Sequence, residues 1–385
     1  MNQSPDLQTM RISPRLFFFI GSGIFYADSH YPYPLMAVAG RDSWLATLLG
    51  GMAAVLLIGW LGTRVIRYLP KPASSLDTLS HLPGITVWRG VHLLAGLWAW
   101  GIAAWSLLRF SEFVHNNMMP MTPLSVFLVG LLCLTAWGGM YGIEAGGRAI
   151  AICALLVFLL PPVYTIMLLR QVHLEWLLPI GQEAQFFTGC TIALSFFLQA
   201  APLCLLFHLV EERPKALRAL LSGLGLSILL AAFSRIQVIT VLNPYLAPYY
   251  NAPDYNTVRL IRLTETVDRV ELPLIWLWAY GSWAKILAFL LLGTFALLIA
   301  FRSRKWVPAH LVSSGLLITL TILGVATRPD GFSIINWLAI NYLYYINLGF
   351  QLALLVTISL LALIRQIRKK PASGRTKPTR KSRTL

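Results

Sequence analysis

Two short stretches of this sequence carry residue types that interrupt a helix. In the first, Gly21-Ser22-Gly23 is followed by Asp28, Ser29, His30, Pro32 and Pro34. Glycine lowers the cost of unwinding, and proline cannot continue a hydrogen-bonded helix. In the second, Ser195-Phe196-Phe197-Leu198-Gln199-Ala200-Ala201-Pro202, a polar Gln precedes a proline in apolar surroundings. An interrupted helix exposes N–H groups and a positive dipole end that suit a carboxylate, and carbonyls that suit an ammonium. A small zwitterion fits both. The candidate ligand-binding residues are therefore Gly21, Ser22, Gly23, Phe25, Trp100, Phe197, Gln199 and Ala200, with Phe25 and Trp100 as walls. Gly21 and Gly23 have a second explanation, close packing of helices through small residues, and residue types do not separate the two.

Two cations fall inside apolar runs, Arg235 and Lys285. A charge there is paired or faces water. Glu271 and Asp28 suit Arg235 in depth, whereas Lys285 lies deeper and could snorkel toward the cytoplasm. The seven histidines are scattered without HExxH context, and the four cysteines (Cys133, Cys153, Cys190, Cys204) lack CxxC spacing. No Walker A sequence or GxSxG is present. The sequence thus predicts no enzyme, no metal site and no cofactor.

The elements that must position these residues follow from composition. Of 385 residues, 57% are hydrophobic and 12% charged, against about a quarter charged in soluble domains. Runs of about 20 apolar residues span a bilayer. The expected spans are 15–36, 43–65, 86–113, 122–140, 149–169, 186–209, 219–242, 272–300, 307–326 and 332–364. Arg11 and Arg15 ahead of the first run resemble a signal-peptide start, but no small-residue cleavage site follows, so it is taken as a span. This predicts an all-α polytopic membrane protein of about ten transmembrane helices. Interruptions in the first and sixth spans, equivalent positions in two halves, point to a 5+5 inverted-repeat transporter-like fold with broken first and sixth helices.

The net charge of +16 sits in short connections and the tail, as in membrane topogenesis, with no nucleic-acid motif. Arg64, Arg67, Lys71, Arg148, Arg213, Lys215, Arg302, Arg304 and Lys305 fall on one side, which places both termini in the cytoplasm. Residues 1–364 form the transmembrane domain. Residues 365–385 form a basic tail, without apolar periodicity, that lies disordered against the lipid. The outer connection 243–268 is long, Tyr- and Pro-rich, and turns helical near 256–265. Arg262, Glu265 and Arg269 there are at helix-face spacings. They form either a solvated surface or a lid.

With the spans placed, several motifs resemble the spore germination permease family, the B subunits of GerA-type receptors. Gly40-Arg41-Asp42-Ser43-Trp44 is similar to the family's "aGrDaWls" at the start of the second helix. Leu108-Arg109-Phe110-Ser111-Glu112-Phe113 with Met119-Pro120-Met121-Thr122-Pro123 resembles the exit of the third. Tyr141-Gly142-Ile143-Glu144 with Arg148 resembles the "GxExxxR" turn. Asp254-Tyr255-Asn256, Arg259-Leu260-Ile261 and Asp268-Arg269-Val270-Glu271 with Trp276 are similar to the run into the eighth. Plainer explanations exist beside these: Asp42 and Thr122 as helix caps, Glu144 and Arg148 as a surface pair, and Trp98, Trp100 and Trp105 as packing aromatics.

The resemblance implies a fold of the amino acid–polyamine–organocation superfamily. It implies a nutrient-germinant receptor subunit in the spore inner membrane, beside an A-type membrane subunit and a C-type lipoprotein. The ligand would be an amino acid or similar nutrient. In some relatives a buried Lys stands where a sodium ion would sit, a part Lys285 could play. Relatives often carry a Gly-Phe-Glu-like element in the sixth helix where this chain has Phe197-Leu198-Gln199. An autonomous amino acid permease and a channel component use the same fold and are the alternatives.

Overall fold

The computed structural model describes residues 11–28, 35–69, 84–158, 160–250, 252–261, 271–303, 305–326, 342 and 344–369. It is built of helices, as a chain in hydrocarbon must be when every backbone N–H and C=O needs an internal partner. The helices are α1 (Pro14–Asp28), α2 (Leu35–Ala39), α3 (Ser43–Tyr68), α4 (Ile85–Asn117), α5 (Leu124–Met140), α6 (Ile143–Phe158) and α7 (Leu160–Leu168). They continue as α8 (Phe186–Leu198), α9 (Arg213–Leu242), α10 (Pro253–Arg259), α11 (Glu271–Phe301), α12 (Trp306–Ala326) and α13 (Tyr344–Lys369). Among the described residues, eight helical segments are long and apolar enough to cross a bilayer. The shorter α1 and α5 occupy the first and fourth expected spans. At 33 residues, α4 is about 50 Å long, so it tilts or projects beyond a hydrocarbon core of about 30 Å.

Exposed apolar residues recur at helical spacing, as Val126 and Val129 on α5, Ile152 and Leu155 on α6, and Val356 and Leu360 on α13. These faces suit lipid. The interior is aromatic, with Trp88, Trp100, Phe17, Phe25, Phe197 and Phe289 fully buried, and Lys285 among them. Around this interior α1 packs against α9, α6 and α11, while α3 packs against α8 and α9.

The first helix departs from expectation at its glycines. It is unbroken at Gly21-Ser22-Gly23 and runs on to Asp28. A Cβ on Gly21 would lie 2.8 Å from the Leu220 carbonyl oxygen, and one on Gly23 would lie 2.2 Å from the Ala154 Cβ. Gly223 approaches from the other side, its absent Cβ 2.2 Å from the Phe18 carbonyl oxygen. The glycines let α1 touch α9 and α6 backbone to backbone, as small residues do where the hydrophobic effect cannot draw helices together. Pro32 and Pro34 lie outside the described residues.

Other expectations shift by a few residues. The last helix continues past Ile364 to Lys369. The helix within the connection 243–268 spans Pro253–Arg259, and Arg262, Glu265 and Arg269 lie outside the described residues. Neither Asp42 nor Thr122 caps a helix through its side chain. Pro123 precedes α5, and the Asp42 carboxylate instead accepts the N–H groups of Gly181 and Glu183 at 2.9–3.2 Å. Arg41 donates to the Leu178 carbonyl and to Tyr245 Oη. The Gly-Arg-Asp motif thus staples two connections to the start of α3. The Glu144–Arg148 pair is exposed, at 2.6 Å.

Candidate functional site

The sixth span is interrupted. α8 ends at Leu198, Gln199 and Ala200 turn, and a 3₁₀ helix carries the chain from Ala201 to Leu209. Pro202 has no N–H to give an α-helical bond to the Leu198 carbonyl. The chain tightens instead, with Gln199 N–H on Phe196 O at 3.3 Å, Ala200 N–H on Phe197 O at 3.1 Å and Leu203 N–H on Ala200 O at 3.1 Å. Runs of 3₁₀ helix beyond three or four residues are uncommon and mark hinges or strain.

The interruption leaves backbone groups to be satisfied. An intact α-helix would send the Gln199 N–H to Ser195 O, and that carbonyl is taken instead by Asn347 Nδ2 from α13 at 2.6 Å. Asn347 Oδ1 in turn accepts Trp98 Nε1 at 3.0 Å, and Ser195 Oγ donates to Tyr344 O at 2.7 Å. α13 and α4 therefore brace the broken helix. Sequence reasoning missed Asn347, because its partner lies on a distant helix.

At the break, Gln199 Oε1 accepts Lys285 Nζ at 3.1 Å, with both side chains buried. The ammonium lies 5.3 Å from the Phe196 ring, 5.9 Å from Phe289 and 6.0 Å from Phe25. Aromatic faces at these distances attract a cation, and the amide oxygen gives it a charge-assisted hydrogen bond. Lys285 is therefore turned into the protein rather than snorkelling. Three helices meet here: α1 through Phe25, α8 through Phe196 and Gln199, and α11 through Lys285 and Phe289.

Beside this cluster lies a cavity of about 20 Å³, lined by Leu35, Thr47, Ala193, Phe196, Phe197, Ala231 and Arg235. That volume holds about one water molecule. Among the described residues, the space at this point is too small for anything much larger than water. Arg235 is buried and pairs with Asp254 of α10, Nη1 to Oδ2 at 3.0 Å. Ser234 Oγ also donates to Asp254, and Arg235 Nη1 reaches Met36 Sδ at 3.5 Å. The expected partners were Glu271 and Asp28, whose side chains lie outside the described residues. The ion pair found runs to α10, within the connection 243–268.

Of the expected ligand-binding residues, Phe25, Phe197, Gln199 and Ala200 come together at the break. Gly21 packs against α9 and Gly23 against α6, and Ser22 Oγ bonds its own helix at Phe18 O, 2.7 Å away. Trp100 faces α11 and α12, with Nε1 on Ser313 Oγ at 2.6 Å and its ring against Gly293. No cluster of three or more His, Cys, Asp or Glu with metal-binding geometry occurs among the described residues. His310 and His92 bond backbone carbonyls of Ala136 and Trp88.

Comparison with known proteins places this architecture. The family described as "Spore germination protein" matches residues 15–329. No curated protein matches the sequence. Among solved structures, the chain is similar to Mhp1, a nucleobase-cation-symport-1 family transporter, in a closed conformation with bromovinylhydantoin bound. The TM-score is 0.57 at 13% identity over 96% of this chain and 95% of that one. It is also similar to the inward-facing conformation of Mhp1, with TM-score 0.54 at 15% identity over 96% and 81%. At such identity the likeness shows the fold alone: a multi-pass, all-helical transporter fold.

Proposed function

The chain belongs to the spore germination protein family, and on that premise we propose that it is the membrane subunit of a nutrient-germinant receptor. It binds a small nutrient, an amino acid, against the interrupted sixth helix and helps trigger germination. The observation that carries this reading is the break at Gln199-Ala200, where a buried Lys285 and three aromatic rings converge beside the cavity at Phe196 and Phe197. Buried polar groups at a helix break are expensive in a membrane and are kept where they handle a solute. The small size of the cavity supports a binding step coupled to rearrangement.

The receptor sits in the spore inner membrane with both termini cytoplasmic, a reading supported by the Lys and Arg excess in the connections of that side. It works beside an A-type membrane subunit and a C-type lipoprotein. The test is germination of a deletion strain across a nutrient panel, with the wild-type gene restored as control. The reading requires loss of response to at least one nutrient. An unchanged response to every nutrient refutes it, and full uptake of that nutrient by the purified chain in liposomes supports an autonomous permease instead.

A further inference from the structure

Arg235 and Asp254 stand between two cavities. Arg235 lines the one that ends on Phe196 and Phe197. Asp254 lines a second cavity, also about 20 Å³, with Tyr26, Tyr164 and Ser234 on its wall. The first abuts the broken helix, and the second lies under α10, the short helix of the outer connection. The ion pair is therefore a partition between them, and it ties α10 to α9.

The guanidinium is the group best matched to a carboxylate, presenting a planar fork of N–H donors. Its Nη1 donates to Asp254 Oδ2 at 3.0 Å. A ligand carboxylate in the Phe196–Phe197 cavity would meet the same guanidinium with the chemistry Asp254 offers. We propose that Arg235 is the carboxylate-recognising residue of the nutrient site, and that Asp254 is a tethered competitor which the nutrient's carboxylate displaces. The exchange releases α10 and joins the two cavities. This rests on the receptor reading above and deepens it, limiting the nutrient to a small carboxylate with an apolar body.

The displaced carboxylate needs a new donor, because a buried charge without one is costly. Tyr164 supplies it. Its hydroxyl is buried, has no hydrogen-bond partner among the described residues, and lines the cavity that Asp254 lines. Ser234 already donates to Asp254. Tyr164 and Ser234 thus line the cavity that Asp254 lines and Arg235 does not.

The experiment measures germination dose–responses of spores to single amino acids and to their carboxamides, which keep size and amino group but lose the anionic head. Wild-type spores should respond to the acid and only weakly to its amide. Arg235→Gln should abolish that preference. Asp254→Asn keeps the shape but weakens the competitor, so the half-maximal concentration of the acid should fall by about tenfold as the competent fraction rises. Where a single variant fails to accumulate by immunoblot, Arg235→Met/Asp254→Leu replaces the pair with apolar groups of similar size. That double variant should accumulate and show no preference for the acid. Retention of the wild-type preference in Arg235→Gln or in the double variant overturns the proposal, as does a rise in half-maximal concentration for Asp254→Asn at normal protein level. A deletion strain with normal responses to all nutrients would instead bring down the receptor reading itself.

Discussion

Replacing Lys285 by Met should cost the protein less stability than replacing its acceptor Gln199, while abolishing function. The ammonium donates to Gln199 Oε1 at 3.1 Å and faces three rings at 5.3–6.0 Å. The charged hydrogen bond contributes about 1.5–3 kcal/mol, and the aromatic faces about 0.5–2 kcal/mol in a desolvated setting. Against this stands the burial of a cation, about 2.5–3.5 kcal/mol on membrane-insertion scales. The charge terms nearly cancel, but the buried Gln199 amide oxygen loses this donor, so Lys285→Met should cost about 1–2 kcal/mol. Gln199→Leu is different, because it takes the acceptor from an ammonium that stays buried, and should cost about 3 kcal/mol. Combined with Lys285→Met, it should return to within about 1 kcal/mol of wild type. The assay is thermal unfolding of the purified chain in detergent, with germination response read in parallel. Lys285→Met melting as early as Gln199→Leu, or the double variant melting at the sum of the two losses, would refute the reasoning.

Gly23→Ala places a Cβ 2.2 Å from the Ala154 Cβ, an overpacking that should cost about 1–3 kcal/mol or more and lower accumulation on an immunoblot. Ala154→Gly in the same chain should restore it only in part, because the Ala154 Cα would still lie 2.7 Å from the added Cβ. Asn347→Leu strands the Ser195 carbonyl and the Trp98 N–H and should lower stability by about 1–3 kcal/mol, read as an earlier thermal transition. Reporter fusions at Arg375 and within residues 247–252 should report cytoplasmic and external sides respectively, and external activity at Arg375 would reverse the orientation.

Most of the helices were legible because a bilayer demands long apolar runs, and residues 43–65 or 307–326 allow little else. The sixth-helix break was legible too, since Gln199 wastes hydrogen-bonding capacity in hydrocarbon and Pro202 removes a donor. Gly21-Ser22-Gly23 carries the same local signal for unwinding and for close approach. Only the neighbour decides, and here Leu220 and Ala154 fill the space a side chain would need. The partner of Arg235 was hidden for another reason. Asp254 lies on a connection whose composition suggests a solvated surface, yet it is buried against α9. Asp42 looked like a cap because it precedes a helix, but its carboxylate turns to the Gly181 and Glu183 amides across the fold. Such pairings are set by tertiary packing, which local sequence does not record.

The central claim, that nutrient binds against the interrupted sixth helix, is tested most directly by narrowing the cavity. Ala231 lines it on α9, opposite Phe196 and Phe197, and Ala231→Val fills about 20 Å³ of space that a ligand must use. The measurement is equilibrium binding of a radiolabelled amino acid, the one to which parent spores respond, to spore inner-membrane vesicles. Gly225→Ala on the same helix, where an added Cβ meets nothing within 4 Å, is the control. The account predicts a Kd raised at least about tenfold, or about 1.4 kcal/mol, for Ala231→Val at unchanged protein level, with Gly225→Ala binding as wild type. Equal Kd values for Ala231→Val and wild type would contradict it.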